Sequence, residues 1–182
     1  MPEAAPRPMK SPLTKTLLVL LLVYTASCAA TEKLPQGVMR VNGVTAPDLQ
    51  LDNIDGEAYD LTTTDGHWRF VHFWASWCGP CRREMPSIER MIPQLEDSTL
   101  EFVVVNTAET EDAVFNFLGI VAPDMVPLMD YDGLVTQVWQ PRGLPSTFLV
   151  DPTGKIRYKA LGGRDWDQPE YTKFLRGLKN PD

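Results

Sequence analysis

The chain has 182 residues, 43% of them hydrophobic, which is enough for one globular domain with a full core plus appendages. Its formal net charge is −7, and this acidic balance argues against nucleic acid as a partner, because phosphate binding needs a basic face. Three cysteines are too few for a disulfide-stapled mini-domain, and a domain of this size does not need such staples.

Residues 1–30 have the pattern of an export signal. Positive residues within 1–15 precede an apolar run over 17–24, and small residues follow it at 25–30. The apolar stretch of roughly 15 residues is shorter than the about 20 residues that a transmembrane helix needs. The positive-inside rule then predicts that the folded domain lies outside the cytoplasm, facing the periplasm or the outer face of the membrane.

Cys28 leaves three alternatives for the anchor. The segment 25–28 resembles the bacterial lipobox, in which a cysteine after small residues is lipidated and becomes the mature N-terminus, although Thr25 stands where leucine is expected. A cleaved soluble form and an uncleaved signal anchor are the other two interpretations, and in both of them Cys28 is an inert small residue. All three place the domain on the same side of the membrane.

The domain boundaries follow from periodicity and turn residues. Residues 31–45 show little periodicity and are predicted to be a linker, and the domain is predicted to extend over 46–179. It begins with two short strands around 49–51 and 58–61, because Asp55-Gly56 between them is a turn signal. This pair is a small N-terminal β-hairpin.

The rest of the domain alternates strands and helices. Two nearly continuous apolar runs are predicted to be strands buried on both faces, and apolar residues at helical spacing follow each of them. The predicted elements are a strand over 69–75, a helix over 78–95 with a kink at Pro86, a strand over 100–106, a helix over 109–119, a short strand over 127–130, a helix over 134–139, a hairpin of 146–150 and 155–159, and a closing helix over 168–178. This order predicts an α/β fold with a mixed central β-sheet flanked by helices.

Cys78-Gly79-Pro80-Cys81 directly follows a predicted strand and opens a predicted helix. Residues three apart on a helix share one face, so the two sulfurs can meet within the Cα separation of about 4.4–6.8 Å that a disulfide requires. The unpaired N–H groups and the positive dipole end at a helix N-terminus favour a thiolate. We therefore predict that Cys78 is the nucleophile, that Cys81 resolves the mixed disulfide, and that Trp77 covers the site and contacts partner proteins.

Other uses of the cysteine pair are less well supported. A zinc site needs two further ligands, and His67 and His72 lie five apart on a strand, so their side chains point to opposite faces. A purely structural disulfide has no reason to lie at a helix start next to Trp77. Met125 and Met129 have no histidine nearby and indicate gap-filling side chains rather than a copper site. We predict neither a metal nor a cofactor.

Three segments carry a family pattern: Ala46-Pro47-Asp48, the run Phe73–Pro86 and the run Gly143–Asp151. Together they resemble the thioredoxin superfamily, and most closely its TlpA/ResA-like branch of membrane-tethered extracytoplasmic thiol-disulfide oxidoreductases. The resemblance implies a thioredoxin-like fold. It also implies that the Leu144–Pro145 bond is cis and faces the cysteine pair, and that the backbone before Pro145 pairs with an incoming polypeptide.

Two positions near the pair are supporting candidates. His72 stands where many cytoplasmic relatives carry a buried Asp that takes part in proton transfer, and where the TlpA branch often carries Asn. A buried His72 could accept the proton of Cys81, and the alternative is a neutral core histidine held by a backbone carbonyl. Glu84 matches an acidic residue common in this stretch of the family and could tune the thiols, although the first half of a helix favours glutamate anyway.

The resemblance implies a reductase that holds Cys78 and Cys81 as a dithiol and donates electrons to disulfides in exported proteins. Expected clients are exported proteins with cysteine pairs, such as apocytochrome c or copper-centre proteins. The expected electron source is a membrane donor of the transmembrane thiol-reductase type, because no cofactor site is visible. The alternatives are a disulfide oxidase or isomerase, a redox-silent module that binds a client near Trp77 and Pro145, and metal delivery.

Overall fold

The computed structural model describes Met1, residues 33–62 and residues 66–179, and the chain from Leu34 onward forms one unit. The predicted export segment, with Cys28, lies outside the described residues apart from Met1. The elements in chain order are β1 (Val38–Thr45), β2 (Gln50–Asp52), β3 (Ala58–Asp60), β4 (Trp68–Trp74), α1 (Gly79–Met91) continued by a 3₁₀ helix (Ile92–Leu95), β5 (Leu100–Thr107), α2 (Glu111–Val121), β6 (Leu128–Asp130), α3 (Leu134–Trp139), β7 (Ser146–Val150), β8 (Lys155–Leu161) and α4 (Pro169–Arg176). Within the described part, no helix has both the length and the apolar character to cross a bilayer.

Six strands form the central sheet in the order β1-β8-β7-β4-β5-β6. β4 and β5 are parallel, as are β5 and β6, whereas β4 and β7 are antiparallel. All seven residues of β4 are buried, because strands lie on both of its edges and further elements cover both faces of the sheet. The predicted mixed sheet with flanking helices is therefore confirmed, and the fold is thioredoxin-like.

Alternate residues of β4 contribute to two separate hydrophobic clusters, as the period of a strand requires. Phe70 and Trp74 belong to the cluster that includes buried residues of α1, α2 and α4. Val71 and Phe73 belong to the cluster that includes the end of α3 and residues flanking the hairpin of β2 and β3. His72 alternates with these last two, so its side chain points to the face that α1 covers.

The predicted linker over 31–45 is wrong where Val38–Thr45 form β1. This strand is the edge of the central sheet and pairs antiparallel with β8. Most of its side chains are exposed, and they include Arg40 and Asn42, so its sequence has no apolar periodicity. The strand exists because its backbone pairs with β8, and the sheet of the domain therefore starts before residue 46.

The predicted N-terminal hairpin is confirmed. β2 and β3 pair antiparallel, from Gln50 opposite Asp60 to Asp52 opposite Ala58, and form a separate two-stranded sheet. α1 continues across Pro86 to Met91, and the remainder of the predicted helix is the 3₁₀ helix. α2 begins two residues later than predicted, because Thr110 is its N-cap and accepts a hydrogen bond from the Ala113 N–H.

Candidate active site

The cysteine pair lies where β4 ends and α1 begins. Cys78 is the N-cap of α1, and Cys78 and Cys81 form a disulfide with a Cα separation of 5.2 Å. The backbone N–H of Cys81 donates a hydrogen bond to Cys78 Sγ over 3.3 Å. Cys78 is 5% exposed and Cys81 is 0% exposed. The sulfur of Cys78 therefore has both the better access to solvent and a backbone donor that can hold negative charge on it.

Trp77 stands beside the disulfide and is 68% exposed. The turn that carries it is closed by a hydrogen bond from the Cys78 N–H to the Ala75 carbonyl over 3.2 Å. An aromatic ring of this exposure offers a large apolar surface to another molecule. Its place next to the more accessible cysteine suits a contact with a protein partner.

The Leu144–Pro145 bond is cis, as the resemblance implied. The Pro145 carbonyl accepts a hydrogen bond from the Gly162 N–H over 2.9 Å. The next residue, Gly163, touches the cysteine motif, since a Cβ placed on it would lie 2.9 Å from the Pro80 carbonyl oxygen. The turn of Gly162 and Gly163 therefore bridges the cis-proline and the start of α1, and its second residue has no room for a side chain.

A buried polar chain crosses the space beneath α1. Nδ1 of His72 lies 2.9 Å from the Thr147 hydroxyl oxygen, and Nε2 of His72 lies 3.1 Å from Glu84 Oε1. Glu84 Oε2 accepts a hydrogen bond from the Arg164 backbone N–H over 2.9 Å. His72 is 0% exposed and Glu84 is 1% exposed. The partners of His72 are thus a hydroxyl and a carboxyl group rather than the backbone carbonyl of the alternative interpretation.

The contact between His72 and Glu84 joins an imidazole and a carboxyl group away from water. An unaccompanied charge at this depth would be costly, so the contact gives each buried group a polar neighbour. Glu84 follows Cys81 by three residues, which places both side chains on the buried face of α1.

A second carboxylate near the motif, Glu109, was not predicted from the sequence. Glu109 Oε2 accepts hydrogen bonds from the Ser76 N–H over 2.6 Å and from Asn106 Nδ2 over 2.8 Å, and Glu109 Oε1 accepts one from the Ser76 hydroxyl. Asn106 lies on β5 and Glu109 follows that strand, while Ser76 follows β4. The carboxyl ends of adjacent parallel strands meet at one edge of a sheet. This rule could have predicted from the sequence that Glu109 lies near Ser76.

In the described ranges 33–62 and 66–179, no three His, Cys, Asp or Glu residues are grouped as metal ligands. Met125 and Met129 are both buried in the hydrophobic cluster beside α1. Their position agrees with the predicted gap-filling role.

The sequence of this chain matches a known protein family and several characterised relatives. The family model described as Redoxin matches residues 41–175. The chain belongs to the redoxin family. Thiol-disulfide oxidoreductase ResA of Bacillus subtilis is 30% identical over 148 residues, which cover 79% of this chain and 79% of that protein. ResA of Geobacillus thermodenitrificans is 33% identical over 151 residues, which cover 79% of this chain and 83% of that protein.

The chain is also similar to a solved structure of a thiol:disulfide interchange protein. The solution structure of a thiol:disulfide interchange protein from Bacteroides sp. matches with a TM-score of 0.64 and 26% sequence identity, and the match covers 77% of this chain and 93% of that chain. The predicted membership of the TlpA/ResA-like branch is confirmed. This redoxin-family protein is an enzyme, a thioredoxin-like thiol-disulfide oxidoreductase.

Proposed function

We propose that this oxidoreductase works as a reductase outside the cytoplasm, where it holds Cys78 and Cys81 as a dithiol and reduces disulfides in exported proteins. The observation that carries the proposal is the asymmetry of the pair at the N-terminus of α1. Cys78 is the more accessible cysteine and its sulfur accepts the Cys81 N–H, whereas Cys81 is fully buried. This asymmetry supports attack by Cys78 and resolution by Cys81.

In the proposed reaction the Cys78 thiolate attacks one sulfur of a client disulfide. A bond forms between that sulfur and Cys78, the client disulfide breaks, and the other client sulfur leaves as a thiolate that takes up a proton. Cys81 then loses its proton and attacks Cys78, which releases the second client thiol and closes the disulfide of Cys78 and Cys81. The client gains two electrons and two protons, and the enzyme must be reduced again.

The proposed partners follow from this cycle. The Gly79-Pro80 dipeptide resembles that of reducing thioredoxins, and the proposed source of electrons is a membrane donor of the transmembrane thiol-reductase type. Proposed clients are exported proteins with cysteine pairs, such as apocytochrome c or copper-centre proteins. Residues 1–30 support export and a membrane tether, and membrane fractionation of a Cys28→Ser variant separates lipidation from the other two forms of the N-terminus.

The proposed client-binding residues are Trp77, Leu144 and Pro145. Their support is the exposure of the Trp77 ring and the half-buried position of Leu144 before the cis bond. An extended client segment would pair with the backbone that precedes Pro145, while the ring of Trp77 packs on the client side chains. The client disulfide then lies against Cys78, the more accessible sulfur.

The redox potential of the Cys78/Cys81 couple tests the direction of the reaction. We expect a value nearer to about −270 mV, as for thioredoxin, than to about −120 mV, as for the oxidant DsbA. The measurement is equilibration of the protein in dithiothreitol buffers of defined potential, followed by alkylation and quantification of free thiols. A Cys78→Ser variant, which cannot form the disulfide, is the blank. A redox potential near about −120 mV would contradict the reductase function and favour an oxidase.

We also propose that the contact between His72 and Glu84 takes up the proton that Cys81 releases in the second step. Nδ1 of His72 is hydrogen-bonded with the Thr147 hydroxyl, so the proton would be held between Nε2 of His72 and Oε1 of Glu84. The buried position of both groups and the place of Glu84 three residues after Cys81 support this role.

A His72→Asn substitution is expected to slow disulfide reduction about tenfold and to change its pH profile, because the variant loses one proton acceptor. The measurement is the rate of reduction of a protein disulfide between pH 5 and pH 9 by stopped-flow fluorescence. His67→Asn removes the other histidine and is the matched control. An unchanged pH profile in the His72 variant would exclude the proton-transfer role and leave a structural pair.

A further inference from the structure

Ser76, the residue before Trp77, has all its polar groups bound. The Glu109 carboxylate accepts the Ser76 N–H over 2.6 Å and also accepts the Ser76 hydroxyl. The Ser76 carbonyl accepts a hydrogen bond from Arg82 Nη1 over 3.0 Å. Both peptide units that flank this residue are therefore held, one by an anion and one by a cation. Such charge-assisted hydrogen bonds are about twice as strong as neutral ones.

The two groups that hold Ser76 are themselves fixed. Glu109 Oε2 also accepts a hydrogen bond from the fully buried Asn106 over 2.8 Å. The Arg82 guanidinium lies 4.8 Å above the centre of the Phe117 ring, at cation–π distance. The turn of Ser76 and Trp77 is thus attached through Glu109 and Asn106 to β5, and through Arg82 and Phe117 to α1 and α2.

The residue before Glu109 has a strained backbone conformation. Ala108 has a φ of +54°, in the left-handed region that residues with a Cβ rarely adopt. The Ala108 N–H is held by the Asp130 carbonyl over 2.9 Å. Glu109 precedes the N-cap of α2, so it is not part of that helix and turns back toward Ser76. Strain of this kind persists where the surroundings over-determine it, often at functional sites.

We propose that Glu109 is a positioning residue for client docking, which holds the turn of Ser76 and Trp77 in the conformation that a client disulfide meets. This inference rests on the proposed function. Trp77 is 68% exposed, so packing does not fix the position of its backbone, and the hydrogen bonds of Ser76 hold the chain directly before it. A turn that is ordered before binding avoids the entropy cost of ordering it in the complex. Glu109 acts through Ser76 and touches neither sulfur atom in the proposed reaction.

The test compares a protein disulfide with a small thiol reagent, using the full chain. We expect Glu109→Gln to lower kcat/KM for insulin reduction, with dithiothreitol as electron source, about tenfold and mainly through KM, because a displaced turn misaligns the docked client. Alkylation of Cys78 by iodoacetamide needs no docking. Its rate and its pH profile should stay within about twofold of the wild type.

Three further variants make the test specific. Glu111→Gln removes the same charge from an exposed position two residues away and should leave both reactions unchanged. Trp77→Ala should lower kcat/KM as Glu109→Gln does, and the double variant should lose no more than about twofold beyond either single one, since both changes remove the same contact. Ser76→Ala keeps the N–H bond to the carboxylate and should show an effect of about threefold, and it serves for the test if Glu109→Gln does not fold.

The possible results distinguish a failure of the role of Glu109 from a failure of the proposed function. The role of Glu109 would be overturned if the losses in kcat/KM of the two single variants multiply in the double variant. It would also be overturned if Glu109→Gln slows alkylation of Cys78 as much as insulin reduction, or if Glu111→Gln lowers kcat/KM as much as Glu109→Gln does. A wild-type rate for both Glu109→Gln and Ser76→Ala would do the same and leave the proposed function intact. A wild-type chain that cannot reduce insulin would instead overturn the proposed function together with the inference that rests on it.

Discussion

Cys78→Ser is expected to lower the rate of disulfide reduction by about 10³-fold or more, because the variant has no thiolate to attack the client disulfide. The fold should be retained, since Ser is an effective N-cap and can accept the Cys81 N–H as the sulfur does. The measurement is insulin reduction with dithiothreitol, corrected for the reagent alone. Activity that survives this substitution would contradict the redox mechanism and favour a redox-silent client-binding module.

Cys81→Ser removes the cysteine that resolves the mixed disulfide, as Cys78→Ser removes the nucleophile. It should retain attack by Cys78 and stop the second step, so mixed disulfides between Cys78 and its natural partners should accumulate. They are detected as bands on non-reducing gels that dithiothreitol removes, and mass spectrometry identifies the clients and the electron donor. Cys28→Ser in the same background controls for trapping by the third cysteine. Bands that persist in Cys78→Ser/Cys81→Ser would not derive from the motif.

Glu84→Leu is expected to lower the free energy of unfolding by about 3 kcal/mol at pH 7, because the buried Arg164 N–H loses its acceptor and the buried His72 ring loses the carboxyl group beside it. The Arg164 N–H donates to Glu84 Oε2 over 2.9 Å, and His72 Nε2 lies 3.1 Å from Glu84 Oε1. The measurement is urea unfolding of the oxidised protein. Glu89→Leu on the same helix removes a single hydrogen bond, to the Asp124 N–H, and should cost no more than about 1 kcal/mol.

A double-mutant cycle separates the pair from its surroundings. His72→Leu alone should destabilise the protein by an amount similar to Glu84→Leu. The double variant should be more stable than the sum of the two losses predicts by at least about 1 kcal/mol, because residues in contact are coupled. Losses that simply add would mean that His72 and Glu84 do not interact, whatever their separation of 3.1 Å.

The strand, the helix and the motif between them could be predicted because local sequence determines them. The apolar run of β4 is continuous since both faces are covered, and Cys78-Gly79-Pro80-Cys81 follows it with a proline suited to the first turn of a helix. The cis bond before Pro145 required the family resemblance. Sequence alone indicated only a turn before a strand, because a proline in either isomer suits that position.

β1 could not be predicted from local sequence. Its exposed side chains show no alternation, and it becomes a strand only because β8 offers an unpaired edge. The same limit applies to the site. His72 and Thr147 are 75 residues apart, and Ser76 and Glu109 are 33 residues apart. Nothing in the spacing of either pair marks a contact.

The redox pair, its place at the start of a helix and the mixed sheet could be predicted from residue type and from periods of two and 3.6 residues, and the motif resemblance added the family. The groups around the pair became visible only in the packed fold: the carboxyl group that faces His72, the hydroxyl next to its other nitrogen, and the carboxylate that holds the turn before Trp77. The physical reason is that buried polar groups must find partners wherever the packed elements place them, and those partners come from other strands and helices of the fold.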